Sequence, residues 1–499
     1  MTQTQTKIPT QTPTQTPTQT LLDRKLTVLN VGIDTFTRSV TEAGVAAQQL
    51  DWRPSGNGDP ALGWKLAQLA GDATDPDCIG SKIDRANAEA SARMLAAQPV
   101  LVDVALRADE IWPELWSKDR RVLTHAGAPV AWDKMCSPMQ GTLIGAMIYE
   151  GWARDDKQAR AMLAAGEVEF MQNHDIKAVG PMSGTISPSM PVFVVKNTNR
   201  GNMAYTNFSE GIGKVLRFGA YSQEVIDRLK WMERVLAPAL KAAVKDIDGG
   251  IDLKAIQAQA LLMGDEVHSR NAAATALFHM AIGGALAGSA AIERAQAREV
   301  LDFVARTSQF FLNLSMVASK AIMDATHGVE ASSIVTAIAR NGVTTAIRVS
   351  GLGKAWFEAP SDTPQGLFFP GYKQAHANPD LGDSAICETA GYGGQALAAS
   401  PALVQLVGGT VAQAMAYSRE MYHITWTRNP SLSLPTLEFE AAPSGIDVRK
   451  VVDTGIRPVL TTGIAHQQAG IGQIGAGIVR VPMDCCVKAV LALSDQLAK

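Results

Sequence analysis

Short apolar runs rich in β-branched residues alternate with amphipathic runs at the start of the ordered sequence. Three segments predict strand, helix and strand in turn: Leu26–Gly32, Phe36–Ala43 and Val45–Leu50. This order favours a parallel strand pair. A helix rich in Ala at Asp84–Ala97 and a buried strand at Pro99–Ala105 follow. We therefore expect residues 24–118 to form a Rossmann-like α/β domain.

The remaining chain changes pattern twice. Short strands such as Pro191–Lys196, separated by Gly/Pro turns, predict an α+β domain over 119–220. Long Ala/Leu/Met helical periods then predict an all-helical domain over 221–345, with these helices: Ser222–Val244, Leu253–Met263, Asn271–Leu286, Ala290–Lys320 and Ser332–Asn341. Short strands return in a C-terminal α+β domain over 346–499, which closes with a helix beginning at Pro482. The fold class is thus α/β and α+β, multidomain, with a helical insert.

Composition narrows the classes of protein that remain. Of 499 residues, 46% are hydrophobic and 19% charged, a globular balance, and the net charge of −3 provides no basic field for nucleic acid or an anionic membrane. The Thr/Gln/Pro tail over 1–23 is expected to be disordered. The uncharged stretch Ala272–Ile292 is mostly Ala and Gly, so we interpret it as a buried, closely packed helix rather than a membrane span. Five scattered cysteines fit a reducing cytoplasm.

Glycine-rich segments offer two candidate phosphate sites. The first strand–helix turn has a single glycine, Gly32, so a dinucleotide site there is poorly supported. Gly470, Gly472 and Gly475 match the letters of a dinucleotide fingerprint, but too little chain follows them for the rest of that unit. Their amides could instead form an anion-binding nest ahead of a helix, with His466 as a further donor. A plain turn between packed elements is the equal alternative.

Two polar clusters are candidates for substrate binding and catalysis. Asn207, Glu210, Lys214 and Arg217 lie among glycines, where they form either a solvated face or a clamp for an anionic substrate.

The second cluster, Gly264–Asn271, comes just before an apolar helix. In it, His268 oriented by Glu266 is a candidate general acid/base, Arg270 a candidate anion binder, and Ser269 or Asn271 a candidate cap. The alternative is that this cluster only caps the helix and forms a salt bridge between Arg270 and an acid.

His174 is a weaker catalytic candidate. It lies between Asn173 and Asp175, shortly before a sharp turn at Gly180–Gly184. A zinc site built from His174, His268 and Glu266 lacks a recognised ligand spacing, so no metal ligand is predicted.

Taken in order, several segments of this chain resemble the YlbE-like family, also called the AllG family of oxamate carbamoyltransferase subunits. The resemblance covers nearly everything from residue 26 onward. The matching segments are Asn30–Gly32 with Asp51–Pro54, Cys136–Gly141 through Tyr149–Trp152, Ala178–Gly184 through Ser187–Pro191, Asn207 through Phe218, Gly264–Asn271 and Gly470–Gly477.

The resemblance implies a role in bacterial purine degradation. Family members work with an FdrA-like, acyl-CoA-synthetase-related chain and a third, AllH-like subunit, and together convert oxalurate and phosphate into oxamate and carbamoyl phosphate, reversibly. Inorganic phosphate and carbamoyl phosphate are then substrates, and no cofactor is predicted. A homo-oligomer is also compatible with this expectation.

This chemistry can be matched to residue types in the clusters. Lys214, Arg217 and the glycine amides are candidates to hold phosphate, His268 to protonate the leaving amide, and Arg270 to pair with the substrate carboxylate. Two other classes stay open: a non-catalytic scaffold that completes a partner's site, and a stand-alone metal-dependent hydrolase of an amide or ureide.

Overall fold

The computed structural model describes residues 27–50, 54–72, 74–117 and 120–498, and the chain divides into two compact units between Pro54 and Ser55. The tail predicted over 1–23 lies outside the described residues. The domain boundaries predicted near 118, 220 and 345 all fall within the second unit and stay predictions.

The first unit contains a strand–helix–strand motif. Strand β1 (Thr27–Val31) and strand β2 (Ala46–Leu50) pair in parallel, with Thr27 opposite Ala46, and helix α1 (Asp34–Glu42) connects them. The parallel pair predicted from the alternating pattern is confirmed.

The second unit holds the remaining elements. Its helices are α2 Pro60–Gln68, α3 Ile79–Ala96, α4 Ser137–Tyr149, α5 Asp156–Ala164, α6 Gln223–Trp231, α7 Ala237–Lys245, α8 Leu253–Leu262, α9 Ala272–Gly288, α10 Arg294–Arg306, α11 Phe311–Thr326, α12 Ile386–Thr389, α13 Val404–Val407, α14 Val411–Met421, α15 Val448–Thr454 and α16 Met483–Leu497. Its strands are β3 Pro99–Ala105, β4 Val122–His125, β5 Glu169–Gln172, β6 Ala178–Val179, β7 Val192–Asn197, β8 Met203–Thr206, β9 Ile251–Asp252, β10 Val335–Asn341, β11 Thr344–Val349, β12 Phe357–Pro360, β13 Gln365–Phe368, β14 Leu381–Gly382, β15 Thr425–Leu434, β16 Glu440–Ile446, β17 Val459–Ala465 and β18 Gln473–Arg480.

Several small sheets, rather than one large sheet, organise the second unit. The largest has the strand order β6-β8-β7-β3-β9, and a four-stranded sheet has the order β12-β11-β10-β14. Strands β13, β18 and β17 form a third sheet, while β4 with β5 and β15 with β16 form separate pairs. The protein is therefore a mixed α/β chain, which agrees with the broad predicted class, although strands β9 and β10 lie within the segment 221–345 predicted to be all-helical.

Strand β3 does not join strands β1 and β2 in one sheet, as the Rossmann-like domain predicted over 24–118 requires. This strand lies antiparallel to both β7 and β9, in a different sheet from β1 and β2. The apolar run at Pro99–Ala105 indicates a buried strand, but burial alone does not specify which strands lie beside it.

Helix α11 forms the centre of the main hydrophobic core. Nearly all its residues are buried, including Phe311, Met316 and Ile322. It packs on strands β3, β7 and β8 on one side and on helices α3 and α12 on others. Apolar residues lie on several faces of this helix, so it must be surrounded by neighbours, which explains this central position.

Two predicted helices differ from the structure. The segment Ser332–Asn341, predicted as a helix, contains strand β10, because its Val335, Thr336 and Ile338 are β-branched, and Val335 and Ile338 pair with β11. The predicted helix Ala290–Lys320 is two helices, α10 and α11, which are separated at Thr307.

The uncharged segment after Asn271 forms helix α9, which buries Phe278 and Ile282 on one face and exposes Met280 on another. The expectation of a helix is confirmed, but the expectation that it is buried is wrong, because only one of its faces packs against the rest of the protein. In the described part of the chain, no helix is both long and apolar enough to cross a membrane.

Candidate functional site

The loop between helices α8 and α9, Gly264–Asn271, is organised around the buried Glu266 carboxylate. Glu266 accepts the backbone N–H groups of His268 (2.9 Å) and Arg270 (3.1 Å), and the Thr461 hydroxyl at 3.0 Å. Burial raises the pKa of Glu266. Within this loop, Val267 has a φ of 64°, a left-handed conformation that is costly for a β-branched residue. The surrounding contacts therefore hold the loop in a strained shape.

A carboxylate supports the His268 ring, but it is not the one predicted. His268 Nδ1 lies 2.8 Å from Glu388 Oε1, whereas Glu266 binds backbone groups of the loop. The same Glu388 oxygen accepts the N–H groups of Thr461 at 3.0 Å and Gly394 at 3.2 Å. A carboxylate on one ring nitrogen fixes the tautomer and leaves the other nitrogen for chemistry. The prediction that Glu266 orients the ring is wrong; Glu388 does so.

Arg217 is a buried cation with unused hydrogen-bond donors. It is 5% exposed; Nη2 donates to the Gly211 carbonyl at 2.6 Å, while Nε and Nη1 are buried without a partner among the described residues. Burial lowers its pKa to about 10, and the nearby Glu210 carboxylate opposes that shift. Burial likewise raises the pKa of Glu210, which accepts the Leu216 N–H at 2.9 Å. Burying a hydrogen-bond donor without an acceptor costs free energy. An anion that accepted hydrogen bonds from Arg217 would remove that cost.

His268 and Arg217 line the same cavity, of about 20 Å³. Arg217 also borders a second cavity of about 30 Å³, which Asn207 and Glu210 line as well. Other residues around the first cavity are Met182, Ser269, Gln309, Leu312, Ser384, Gly463, Gln473 and Ala476. The fold thus brings the 207–217 and 264–271 clusters together. A cavity of this size holds about one water molecule.

Three other predicted residues do not line either cavity. Asn271 donates from Nδ2 to the His268 carbonyl at 2.6 Å, which fixes the loop. Arg270 is half-exposed, with Nε 3.2 Å from Asp265. Lys214 is exposed and does not border either cavity.

The predicted glycine nest does not form as one unit ahead of a helix. Gly470 donates its N–H to the Phe218 carbonyl at 2.9 Å, and Gly472 packs against Gly213. Gly475 lies inside strand β18, opposite Phe368 and Ile464, where a Cβ would collide with the Leu367 carbonyl. These glycines allow close approach of the chain, rather than offering a row of free amides. The segment still packs on the loop that carries Arg217.

The half-buried His466 is not among the residues that line either cavity. Its ring centroid lies 5.7 Å from that of His376 and 5.8 Å from that of Tyr372. Burial lowers the pKa of His466.

His174 lies elsewhere, at the edge of a separate pocket. It is buried, with Nε2 3.6 Å from Asp383 Oδ1, and neither ring nitrogen has a hydrogen-bond partner among the described residues. The structure therefore does not unite it with His268 as a catalytic pair or zinc site. Over the described ranges, no group of three or more His, Cys, Asp or Glu side chains is placed to hold a metal ion.

Sequence reasoning missed the residue that supports the His268 ring. Glu388 is the only charged residue between Ser384 and Ser418. A lone acid in an uncharged apolar stretch is expected to be buried with polar partners, so the sequence itself marks Glu388 as a candidate site residue. By contrast, Thr461, Gln309 and Gln473 have no such signature, because ordinary polar residues recur throughout the chain.

Buried histidines make the stability of the fold depend on pH. Burial lowers the pKa of His125 and His327, and lowers that of His174 well below its ordinary value. In the unfolded chain these groups take up protons near pH 6.5, so stability is lost as the pH falls below that value. Burial raises the pKa of Asp383 to about 6, which partly opposes the loss, because the folded state then holds the extra proton.

We expect the free energy of unfolding to fall by about 1–3 kcal/mol between about pH 7.5 and about pH 5.5. Urea titrations at the two pH values measure this change. His174→Gln should reduce the slope, while His423→Gln, at an exposed position, should not. Equal stability at both pH values would show that the pKa values of these histidines are the same in the folded and the unfolded chain.

The described fold and cavity define a mixed α/β protein with a buried histidine–carboxylate pair beside an unpaired arginine. A family model described as "Oxamate carbamoyltransferase subunit AllG" matches residues 168–384. The chain is 48% identical over 418 residues to the Escherichia coli (strain K12) protein named oxamate carbamoyltransferase subunit AllG, an alignment that covers 84% of this chain and 99% of that protein. This chain belongs to the AllG family of oxamate carbamoyltransferase subunits.

Two further relatives extend the comparison. The uncharacterized protein YahG of Escherichia coli (strain K12) is 44% identical over 477 residues, covering 95% of this chain and 98% of that protein. A crystal structure of a conserved protein of unknown function from Enterococcus faecalis V583 superposes with a TM-score of 0.80 at 43% identity, covering 84% of this chain and 99% of that chain. The fold is therefore shared with an experimentally determined structure.

Proposed function

We propose that this chain is a subunit of a carbamoyltransferase that interconverts oxalurate plus phosphate with oxamate plus carbamoyl phosphate. Its relative is named for oxamate and for carbamoyl transfer. The observation that carries the proposal is the placement of an unpaired Arg217 guanidinium and the His268–Glu388 pair on one cavity. An anion-binding cation beside a proton-transfer group suits attack by phosphate on a carbonyl.

The reaction balances with these groups. A phosphate oxygen attacks the terminal ureido carbon of oxalurate, the bond from that carbon to the inner nitrogen breaks, and this nitrogen leaves as the amide of oxamate. His268 gives the departing nitrogen its proton and Glu388 holds the ring in position. Arg217 pairs with the phosphate. We assign this role to Arg217 rather than Lys214 or Arg270, because Arg217 lines the cavity and has free donors.

The cavity must enlarge when substrate binds. Its volume of about 20 Å³ takes one water, whereas carbamoyl phosphate and oxalurate are larger. The strained residues Met182 and Val267, with φ of 54° and 64°, lie in the two loops that carry cavity residues. Such segments have alternative conformations close in energy, so we place the opening there.

We propose that this chain works in an assembly with partner chains. The subunit in the relative's name points to an assembly, and the family resemblance supplies the expected partners: an FdrA-like chain and an AllH-like chain. We propose that the assembly works in the cytoplasm and contributes to purine nitrogen breakdown.

The two alternative functions make different demands on the structure. A scaffold needs the cavity only for packing, in which case loss of His268 would leave turnover unchanged. A metal-dependent hydrolase would release carbamate without phosphate and would lose activity with a chelator.

The direct test measures carbamoyl transfer by the chain alone and by the chain co-expressed with both partners. Release of phosphate from carbamoyl phosphate should depend on oxamate, and oxalurate should appear in equal amount, in the complex only. Phosphate release without oxamate, or oxalurate cleavage without phosphate, would contradict transfer. Turnover with another amide but not oxamate would keep the reaction class and replace the substrate.

A further inference from the structure

The pocket that His174 borders has a volume of about 400 Å³ and shares no lining residue with the His268 cavity. Its walls come from the turn after strand β5, from helix α11 and from strands β8, β10 and β11. The charged residues that line it are Lys177, Lys320, Arg348, Lys354, Asp175 and Asp324. A concave volume of this size is ordinary for a small-molecule site.

The pocket is positively charged in a chain whose net charge is −3. Lys320 pairs with Asp324 at 2.6 Å, and Arg348 with Asp175 at 2.6 Å, so the two acids neutralise two of the four cations. The side-chain ammonium groups of Lys177 and Lys354 have no ion-pair or hydrogen-bond partner within the described residues. The excess corresponds to two positive charges, which suits a dianion.

Buried polar atoms without partners border the same pocket. Arg348 Nε is buried without a hydrogen bond, and its guanidinium lies 4.1 Å from the centroid of the Trp356 ring. Both nitrogens of His174, 4% exposed, are also unpartnered, and Trp356 packs edge-on against its ring at 5.3 Å. Protein interiors rarely leave such groups unsatisfied, and a ligand is one common reason when they do.

We propose that this pocket binds a small ligand through a phosphate group. Two lysine ammonium groups supply point charges, and a preorganised arginine supplies a directional hydrogen-bond donor. Both kinds of group are common in phosphate-binding sites. The remaining volume, lined by Met203 and Ala337, takes the organic part of a phosphate compound. This site is separate from the proposed transfer cavity, and its existence does not depend on the proposed function.

Equilibrium dialysis of the full chain with radiolabelled inorganic phosphate tests the site. The variant Lys177→Asn/Lys354→Gln removes the two unpaired charges, and Asn tolerates the left-handed φ of 60° at position 177. Its matched control is Lys157→Gln/Lys245→Gln, which loses the same charge at exposed positions away from the pocket. Thermal melts establish that all three proteins are folded.

We expect the pocket variant to bind phosphate about tenfold more weakly than the wild-type chain, and the control to bind unchanged. Equal binding by all three proteins, or no phosphate binding by the wild-type chain at millimolar concentration, would overturn the proposal. Competition distinguishes the sources of the phosphate group. Stronger competition by carbamoyl phosphate than by phosphate assigns an acylated phosphate, whereas equal competition assigns free phosphate. Displacement by oxamate alone would overturn phosphate recognition in favour of a carboxylate.

Loss of carbamoyl transfer in the His268 variants would not alter this dialysis result. Because Arg217 is itself a proposed phosphate ligand, the dialysis is repeated in the Arg217→Lys chain, where the phosphate binding that Lys177→Asn/Lys354→Gln removes belongs to this pocket alone. The failure of one proposal can thus be told from the failure of the other.

Discussion

Replacing His268 by Gln is expected to reduce the turnover of carbamoyl transfer by about 10²- to 10⁴-fold, while the protein stays folded. Gln preserves a polar group near Glu388 but cannot deliver a proton to the departing nitrogen. The ring is 3% exposed and makes a single strong contact, to Glu388 Oε1 at 2.8 Å, so the fold depends on it less than on the loop backbone. Steady-state kinetics of the assembled complex with carbamoyl phosphate and oxamate measure the loss.

Two variants make the His268 result specific. His423→Gln applies the same change at an exposed histidine and should leave turnover unaltered. Glu388→Gln should lower turnover without removing the ring, because a neutral amide cannot stabilise the charged imidazole. Thermal melts and subunit co-purification exclude misfolding or lost assembly as the cause. Full turnover in His268→Gln would place the reacting groups on a partner chain and support the scaffold alternative.

Local structure was largely predictable, since it depends on periodicity within a segment. The helix predicted at Asn271–Leu286 and the strand at Pro99–Ala105 correspond to α9 and β3. Strand β10 was missed because its alanines read as a helical period, while its Val, Thr and Ile residues favour a sheet only when neighbours β11 and β14 are present. Pairing of β3 with strands far away in the chain is likewise decided by tertiary packing.

The same limit applies to the candidate site. The sequence identifies His268 and Arg217 as candidates, because polar groups beside apolar helices and glycine turns are costly to bury unless they are paired. It cannot show that both face one cavity, since their contact depends on the packing of distant loops. The partner of His268 illustrates the difference: Glu266 is closer in sequence, yet Glu388 reaches the ring, and Glu266 is already used by backbone N–H groups.

Arg217 variants should show a smaller loss than His268→Gln, expressed mainly in phosphate binding. Arg217→Lys keeps the charge but loses the planar guanidinium with its free Nε and Nη1 donors. We expect the KM for carbamoyl phosphate to rise by about 10- to 100-fold, with a smaller fall in kcat. The KM for oxamate should change little, because the proposed contact is to the phosphate. Initial-rate kinetics with each substrate varied in turn separate the two effects.

Stability must be separated from binding in these variants, because Arg217 lies near the buried Glu210 carboxylate. Removing one member of a buried charged pair is destabilising, whereas removing both is much better tolerated. The double variant Glu210→Gln/Arg217→Met should therefore remain folded yet bind carbamoyl phosphate as poorly as, or worse than, Arg217→Lys. Arg154→Lys, at a side chain that is 84% exposed, is the matched control. A folded double variant with an unchanged KM would show that Arg217 serves packing alone, and that the phosphate binds elsewhere in the complex.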